Sequence, residues 1–262
     1  MEVWDQLGRN LQFKETPKRI VSLVPSQTEL LVDLGLEKYL IGITHFCVHP
    51  SFLKQIKTRV GGTKKVNFRK IRELEPDIIL CNKEENTKEM VKELEKIAPV
   101  HISEVSDLQS SCELIIQYGK IFNCEPLALT LSDSIRKKAE ELERLAAGSP
   151  KRRVAYFIWN EPLMVAGKAT FINSMLELNN FENVFSQERY PETSFEQLKD
   201  LEIDLCMLSS EPFPFKEEHK QKFLPYSKEV QIVDGEYFSW YGSRLLEAMD
   251  YFKEFHLESS TN

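Results

Sequence analysis

The chain has 262 residues, of which 42% are hydrophobic and 29% charged, a balance typical of a globular protein with one large domain or two lobes. A formal net charge of −7 argues against nucleic-acid binding, which needs a clustered basic face. The sequence has no apolar run near the roughly 20 residues of a membrane span, so membrane insertion is not expected. Its polar, acidic N-terminus does not resemble a secretory signal. The five cysteines are scattered and odd in number, which fits reduced thiols. We therefore expect a cytoplasmic protein, or a periplasmic or extracellular one if a signal was removed before this numbering begins.

The first half of the chain alternates predicted strands and helices. After an N-terminal hairpin with a turn at Gly8, we predict strand 20–24, helix 27–34 closed by Gly35, strand 40–43, helix 68–74, strand 78–81, helix 87–97, strand 100–102 and helix 108–122. Ser26 and Glu29 have the spacing of a capping box at the start of the first of these helices. Strands that alternate with helices indicate a parallel sheet with helical crossovers.

A long amphipathic helix is predicted over residues 126–147. Pro126 suits a first helical turn, and apolar residues follow at close to the helical period. Gly148 and Pro150 then end the helix. At 1.5 Å per residue it would reach roughly 30 Å, about the width of a small lobe.

After this helix the order of elements restarts, with strand 154–159 and helix 171–178. The pattern Phe-x-x-Ile-x-x-Leu-Glu-x-Asp-Ile over residues 68–78 returns, with Leu in place of both Ile, over residues 195–205. We infer an internal duplication and an α/β fold. It has two similar lobes with mainly parallel sheets, joined by one long backbone helix. The predicted boundaries are 1–125 for the N-terminal lobe, 126–148 for the helix and 149–262 for the C-terminal lobe.

The duplication also relates two acidic residues, Glu84 and Glu211, which both follow the carboxyl end of a predicted strand. Ligands of open α/β sheets bind outside these ends, so the two glutamates are predicted to face one shared cleft. The alternative is that each glutamate caps the helix that follows it.

The loop His45-Phe46-Cys47-Val48-His49 is the most chemically suggestive stretch. In an extended backbone the side chains of His45, Cys47 and His49 point the same way and could bind Zn²⁺ or another divalent metal, with Glu84 or Glu211 completing the site. The alternatives are an axial ligand to a corrinoid or haem, or a polar loop that only forms hydrogen bonds. The sequence contains no G-x-G-x-x-G, Walker A or G-x-S-x-G motif, and we predict no catalysis.

Four motifs together resemble a known family. They are PKRIVSLVPS at 17–26, LEPDII at 74–79, ENVF at 182–185 and WYGSR at 240–244. In this order and around a central helix, they resemble the class III substrate-binding proteins, whose two lobes are joined by a rigid helix. They are most similar to the vitamin B12 and iron–siderophore branch. The resemblance runs from about Asp5 to His256.

The resemblance implies a monomeric binding protein that captures a metal chelate of the cobalamin, siderophore or haem type in the cleft between its lobes, as the solute receptor of an ABC importer. The bound group would be a corrinoid, a ferric chelate or a divalent metal. The alternative is a cytoplasmic metal-ion or cofactor-binding protein of the same fold that has no permease.

The resemblance also implies ligand-binding residues, mostly aromatic rings that would stack on a flat chelate. Arg244 could pair with a carboxylate or phosphate of the ligand. The implied residues are Pro25, Ser26, Phe46, Trp159, Tyr190, Phe238, Trp240, Tyr241 and Arg244.

Family receptors usually carry one acidic residue on each lobe that docks to basic residues of the permease. Glu196 occupies this position in the second lobe, whereas Arg69 occupies the equivalent position in the first. The resemblance therefore implies permease docking through the second lobe but not through the first.

Overall fold

A computed structural model describes residues 1–259 and shows strands alternating with helices through most of the chain. Its internal contacts group residues 1–105, 109–135 and 241–244 into a first unit. A second unit contains residues 106–108, 136–240 and, among the described residues, 245–259. The α/β fold class predicted from the sequence is confirmed. Among the described residues, no helix combines the length and the apolar character that a membrane crossing needs.

The first half of the chain supplies seven strands and six helices. In chain order they are β1 (Glu2–Trp4), β2 (Asn10–Gln12), β3 (Ile20–Ser22), α1 (Pro25–Asp33), β4 (Leu40–Ile43), α2 (Leu53–Ile56), β5 (Thr58–Arg59), α3 (Phe68–Glu73), β6 (Ile78–Asn82), α4 (Lys88–Leu94), β7 (Val100–Ser103), α5 (Leu108–Ile121) and α6 (Glu125–Ala146). Strands β1 and β2 form the predicted hairpin, with Gly8 at a positive φ of 72° in its turn.

The sheet of the first unit has the strand order β5-β4-β3-β6-β7, and all its neighbouring strands are parallel. β3 and β6 are buried along their whole length, as expected of central strands covered on both faces. Val21 and Ile79 of these strands share a hydrophobic core with Ile71 of α3 and Leu94 of α4. The parallel arrangement places the loops that follow the strands at one edge of the sheet.

The second half of the chain supplies five strands and five helices within the described residues. They are β8 (Arg152–Asn160), β9 (Leu163–Val165), α7 (Phe171–Leu178), β10 (Phe181–Asn183), α8 (Phe195–Leu198), β11 (Ile203–Ser209), α9 (Glu217–Lys220), β12 (Ser227–Val233), α10 (Gly235–Ser239) and α11 (Leu245–Ser259). The parallel strands have the order β10-β8-β11-β12, and β9 pairs antiparallel with β8.

Each unit contains the same kind of hydrogen bond at the equivalent place in its own sheet, as a duplication predicts. In the first unit, the Asp77 carboxylate accepts a hydrogen bond from the backbone amide of Arg19 at 3.0 Å. In the second unit, the Asp204 carboxylate accepts one from the backbone amide of Arg153 at 2.8 Å. In both units the aspartate lies at the start of one central strand and the arginine at the start of its neighbour.

Helix α6 begins and ends one residue earlier than predicted and runs through the boundary between the units, after Ile135. Leu127 and Leu145 also follow the helical period in the sequence, but they are exposed because they lie beside the buried stripe. The residues of that stripe recur every three, four or seven positions, as one face of a helix requires: Ala128, Ile135, Ala139, Leu142 and Ala146.

The start of helix α1 differs from the prediction. The helix begins at Pro25 rather than at residue 27, because proline suits the first helical position, and the residue before it makes no side-chain cap. Ser26 is therefore inside the helix, and the predicted capping box with Glu29 is wrong. Gly35 follows the helix at a φ of 73°, as predicted.

Candidate functional site

The carboxyl ends of the first unit's parallel strands are followed by loops and helix starts that carry most of its predicted ligand residues. Pro25 and Ser26 follow β3, His45 and Phe46 follow β4, and Glu84 follows β6. In open parallel sheets this is the edge at which ligands bind. We call it the first carboxyl edge.

A buried hydrogen-bond network lies beneath the first carboxyl edge. The side-chain amide of Gln27 donates to the Ser103 hydroxyl at 2.6 Å and to the Tyr241 hydroxyl at 2.9 Å. The Tyr118 hydroxyl donates to the Gln27 carbonyl oxygen at 2.7 Å. All four residues are buried. Burial raises the pKa of Tyr241 to about 12, so its hydroxyl stays neutral and bonded within the network.

Glu85, which the sequence analysis did not select, lies beside this network. Burial raises the pKa of its carboxyl above the ordinary value, while Lys64 and Thr63 act to lower it. The Tyr241 phenol interacts electrostatically with Glu85. Glu85 is therefore close to one predicted ligand residue. The only signal in the sequence was its place as the second glutamate of the pair Glu84-Glu85.

Hydrogen bonds fix the loop that carries these glutamates. The side-chain oxygen of Asn82 accepts from the backbone amides of Glu84, at 2.8 Å, and Glu85, at 3.2 Å. The side-chain amide of Asn86 donates to the Thr63 carbonyl at 2.8 Å. These bonds to both ends of the loop give Glu85 a defined position.

A second carboxyl edge follows strands β8, β11 and β12 of the second unit. Here Glu211 follows β11, and one of its carboxylate oxygens accepts hydrogen bonds from the Ser239 hydroxyl at 2.8 Å and the Trp240 indole N–H at 2.9 Å. Burial raises the pKa of Glu211 above its ordinary value. A Cβ added at Gly235 would lie 2.7 Å from Glu211 Cγ, so the missing side chain makes room for this carboxylate.

Neither predicted glutamate caps the helix that follows it. The Thr87 side chain caps α4 by accepting a hydrogen bond from the Met90 amide, and Lys216 is the N-cap residue of α9. The capping alternative for Glu84 and Glu211 is therefore excluded by the structure.

Two predicted aromatic residues are exposed at the carboxyl edges. Phe46 is 58% exposed in the loop after β4, and Trp159 is 38% exposed near the end of β8. The Trp159 ring packs edge to face on Phe213, with centroids 5.8 Å apart. Tyr190 is half-buried. Rings with this exposure can contact a ligand.

Two other predicted rings lie inside the second unit. Phe238 is only 1% exposed and packs against Tyr156 and Phe252, with ring centroids 5.0 and 4.7 Å away. This places Phe238 in the core and corrects its predicted ligand contact. The Trp240 side chain is buried and bonded to Glu211, so it supports that carboxylate from within.

Arg244 has a protein partner instead of the predicted ligand anion. It is 8% exposed, and its guanidinium forms two hydrogen bonds to the Glu29 carboxylate of α1, one of them 3.0 Å long. Burial raises the pKa of Glu29, and Arg244 opposes that change. The pair explains why Glu29 is not in a capping box. It also corrects the predicted role of Arg244, whose side chain is held inside the first unit.

The predicted metal loop does not form a common ligand set. Cys47 is fully buried, and its sulfur lies 3.1 Å from the Thr28 hydroxyl and 3.3 Å from the Thr44 hydroxyl. His45 is exposed, so the two side chains have opposite environments. Within residues 1–259, no group of three or more histidine, cysteine, aspartate or glutamate side chains is arranged to hold a metal ion.

Residues 20–225 match the sequence profile of the periplasmic binding protein family. An uncharacterized ABC transporter substrate-binding lipoprotein of Bacillus subtilis is 28% identical over 70% of this chain and 60% of its own length. A vitamin B12-binding protein of Pectobacterium atrosepticum is 26% identical over 88% of this chain and 86% of its own. The crystal structure of a periplasmic vitamin B12 binding protein of Vibrio cholerae has the same fold. It aligns with a TM-score of 0.81 over 94% of this chain and 99% of its own, at 17% identity.

These similarities correct the predicted location. The family is described as periplasmic, the Bacillus relative is a lipoprotein, and the Vibrio protein is periplasmic. The prediction of a cytoplasmic protein is therefore wrong, and with it the alternative of a cytoplasmic metal or cofactor binder. All five cysteines are free thiols. Composition and cysteine content therefore do not distinguish a cytoplasmic from a periplasmic location for this chain.

The profile match covers most of the chain, and both the fold and the four sequence motifs agree with it. The chain therefore belongs to the periplasmic binding protein family, in its class III, and is nearest to the vitamin B12 and iron–siderophore branch.

Proposed function

We propose that this protein captures a small metal chelate of the cobalamin, siderophore or haem type and presents it to an ABC permease. The proposal rests first on the family and on relatives that are named for vitamin B12 binding. It includes binding and release only, with no chemical step on the ligand.

The observation that carries the proposal is that each unit, taken by itself, has an exposed aromatic ring at the carboxyl edge of its sheet. Phe46 on the first edge and Trp159 on the second supply flat apolar surface next to hydrogen-bonding side chains. Stacking on aromatic rings is a favourable contact for a flat chelate, and a few fixed polar groups then orient it. Pro25, Ser26 and Tyr190 complete the set of residues for which we propose ligand contact.

The test is a titration of the purified protein with cyanocobalamin, with hemin and with a ferric siderophore, followed by tryptophan fluorescence. We expect saturable binding of at least one chelate, and about tenfold weaker binding after Trp159→Ala, a loss of roughly 1.4 kcal/mol. Trp4→Ala is the matched control, because Trp4 is also exposed but belongs to the N-terminal hairpin. Failure of all three chelates to bind would overturn the proposal.

We further propose that the second unit docks to the permease through Glu196. This residue is exposed on α8, and its carboxylate pairs with Lys199 at 2.6 Å. Arg69 lies at the equivalent position on α3, where it is exposed and pairs with Glu73 at 2.8 Å. We expect Glu196→Arg to reduce chelate uptake through the reconstituted permease without changing chelate affinity, and Glu73→Arg to serve as the control. Unchanged uptake by the Glu196 variant would contradict this docking site.

A further inference from the structure

Residues 52–72 form a basic segment in an otherwise acidic chain. The segment contains eight of the chain's 34 lysines and arginines and none of its 41 aspartates and glutamates, a separation of charge that the net value of −7 conceals. All eight cations except Lys57 are exposed. Protein surfaces normally mix both signs of charge, so a segment of one sign produces a positive field over the surface that it covers.

The basic segment lies at one side of the sheet in the first unit. It runs through α2, β5 and most of α3, and β5 is the end strand in the order of that sheet. The Asn67 amide donates to the Val60 carbonyl at 2.7 Å, and the Gly62 amide donates to the Lys65 carbonyl at 2.8 Å. These bonds fold residues 60–67 into a tight hairpin between β5 and α3. The fold therefore keeps the cations of the strand, the hairpin and the first turn of α3 close to one another.

Partners from outside the segment leave most of its charge in place. Lys57 pairs with Glu37, and Arg69 pairs with Glu73 at 2.8 Å. Lys64 donates to the backbone carbonyl of Glu84, a neutral acceptor that does not cancel its charge. The segment consequently remains strongly positive and fits an anionic partner.

Two apolar side chains are exposed among these cations. Phe52 is 45% exposed and Ile56 is 59% exposed, and Lys54 lies between them in the chain. Phe52 has helical backbone angles at the start of α2, so a spacing of four residues places the two side chains on the same side of that turn. Basic residues next to exposed aromatic and aliphatic side chains are typical of surfaces that bind at a membrane interface.

We propose that the basic segment binds the surface of a lipid bilayer that contains anionic phospholipids, with Phe52 and Ile56 entering the headgroup region. Lysine and arginine are attracted to the anionic headgroups, and the apolar side chains gain from partial burial at the acyl boundary. An acidic protein surface would complement the cations but not the two apolar side chains. Protection of the sheet edge would need only a charge on β5 itself, which Arg59 supplies. Membrane binding by this segment goes beyond chelate capture and does not depend on it.

The experiment is co-sedimentation of the purified protein with vesicles of phosphatidylcholine alone and of an equimolar mixture with phosphatidylglycerol. We expect the protein to partition at least about tenfold more strongly onto the anionic vesicles at an ionic strength of about 0.1 M. This preference should disappear at about 1 M, where the screening length falls to roughly 3 Å. Lys54→Gln/Lys65→Gln/Lys70→Gln should weaken partitioning onto the anionic vesicles at least about tenfold.

The matched control is Lys88→Gln/Lys92→Gln/Lys96→Gln, which removes the same charge from exposed lysines on α4 and just after it, where glutamates alternate with the lysines. It should partition like the wild type. Thermal unfolding of each variant verifies that it is folded. Equal partitioning of the wild type onto both vesicles would overturn the proposal, as would equal losses in the two lysine variants.

A second pair of variants tests the apolar contact. Phe52→Ser/Ile56→Ser should weaken partitioning onto the anionic vesicles at least about fivefold, whereas Leu127→Ser/Leu129→Ser, which changes two exposed leucines of α6, should not. Unchanged partitioning of the Phe52 and Ile56 variant would overturn the assignment to a bilayer. Binding only to phosphatidylcholine vesicles that contain the permease would assign the segment to an acidic protein partner and also overturn it. Chelate binding is measured separately, so none of these outcomes bears on the proposed function.

Discussion

At the residue scale, Arg244 and Glu29 show how a contact distant in sequence changes the role of a side chain. Arginine near the C-terminus of a binding protein was predicted to meet a ligand anion, and Glu29 was predicted to cap a helix. The two side chains instead form one ion pair, in which Arg244 is buried and Glu29 is only 13% exposed. Local patterns predict what each residue can do, but only tertiary structure decides which partner it finds.

We expect Arg244→Ala to destabilise the protein by about 3–5 kcal/mol, because it leaves the Glu29 carboxylate buried without its partner. Urea unfolding followed by circular dichroism measures this change. Lys199→Ala is the control: its ion pair with Glu196 is exposed, and its loss should cost less than about 1 kcal/mol. An Arg244 variant as stable as this control would contradict the role of the buried pair.

The buried His101 side chain makes the free energy of unfolding depend on pH. Its Nε2 hydrogen-bonds with Gln117 at 2.6 Å, its Nδ1 has no hydrogen-bond partner among the described residues, and burial lowers its pKa to about 4. Between pH 6.5 and about 4 the unfolded chain therefore binds a proton that the folded protein does not. Stability falls as the pH falls through this window, and His101 accounts for about 3 kcal/mol of that loss.

We expect His101→Phe to lose this component, so that its free energy of unfolding changes less between pH 6.5 and 4 than that of the wild type. Urea unfolding at a series of pH values measures the difference. His219→Phe is the control, because it makes the same substitution at a half-buried imidazole of the second unit. Parallel pH profiles for the wild type and the His101 variant would contradict the explanation.

At the element scale, helices and strands with a clear period were predicted well. Helix α7 and strand β4 have the predicted bounds, and α6 differs by one residue at each end. Strands β9 and β10 were not predicted, because three residues are too few to show an alternating pattern. The start of α1 was misplaced because Ser26 offered a capping pattern that the preceding proline overrides.

The N-terminal hairpin protects the edge of a sheet. β7 is the last strand in the order of the first sheet, so within residues 1–259 no strand pairs with its outer side. Asp5 accepts a hydrogen bond from the Ile102 amide at 3.1 Å, and Arg9 donates to the Val100 carbonyl. Side chains of the hairpin thereby satisfy backbone groups that an open edge would expose to other chains.

We expect Asp5→Ala to increase the hydrogen-exchange rate of the Ile102 amide at least about tenfold, because that N–H loses its acceptor and opens at lower cost. Exchange measured by NMR reports this amide directly. The control is Glu2→Ala, which changes an exposed acid of the same hairpin. Unchanged exchange at Ile102 in the Asp5 variant would contradict the protection.

At the scale of the whole molecule, the duplicated pattern and the family motifs were sufficient to predict the fold class and the family. They were not sufficient for the ligand residues. Phe238 and Cys47 were selected for chemistry that suits a site, but both side chains are buried in the core. Glu85 was missed because only tertiary structure, which buries its carboxyl and brings it near Tyr241, distinguishes it from Glu84.

The domain boundaries also depend on contacts that the sequence does not display. Residues 241–244 group with the first unit, although they follow almost the entire second half of the chain. Tyr241 and Arg244 account for this through their bonds to Gln27 and Glu29. The boundaries 1–125, 126–148 and 149–262 remain a prediction that treats each lobe as continuous.

The most direct test of the central claim is native mass spectrometry of the protein purified from its source organism without added ligand. We predict a mass increment that corresponds to one intact metal chelate per chain, lost on denaturation together with its visible absorbance. A protein that carries only a bare divalent metal ion, or a metal-free metabolite, would contradict the account.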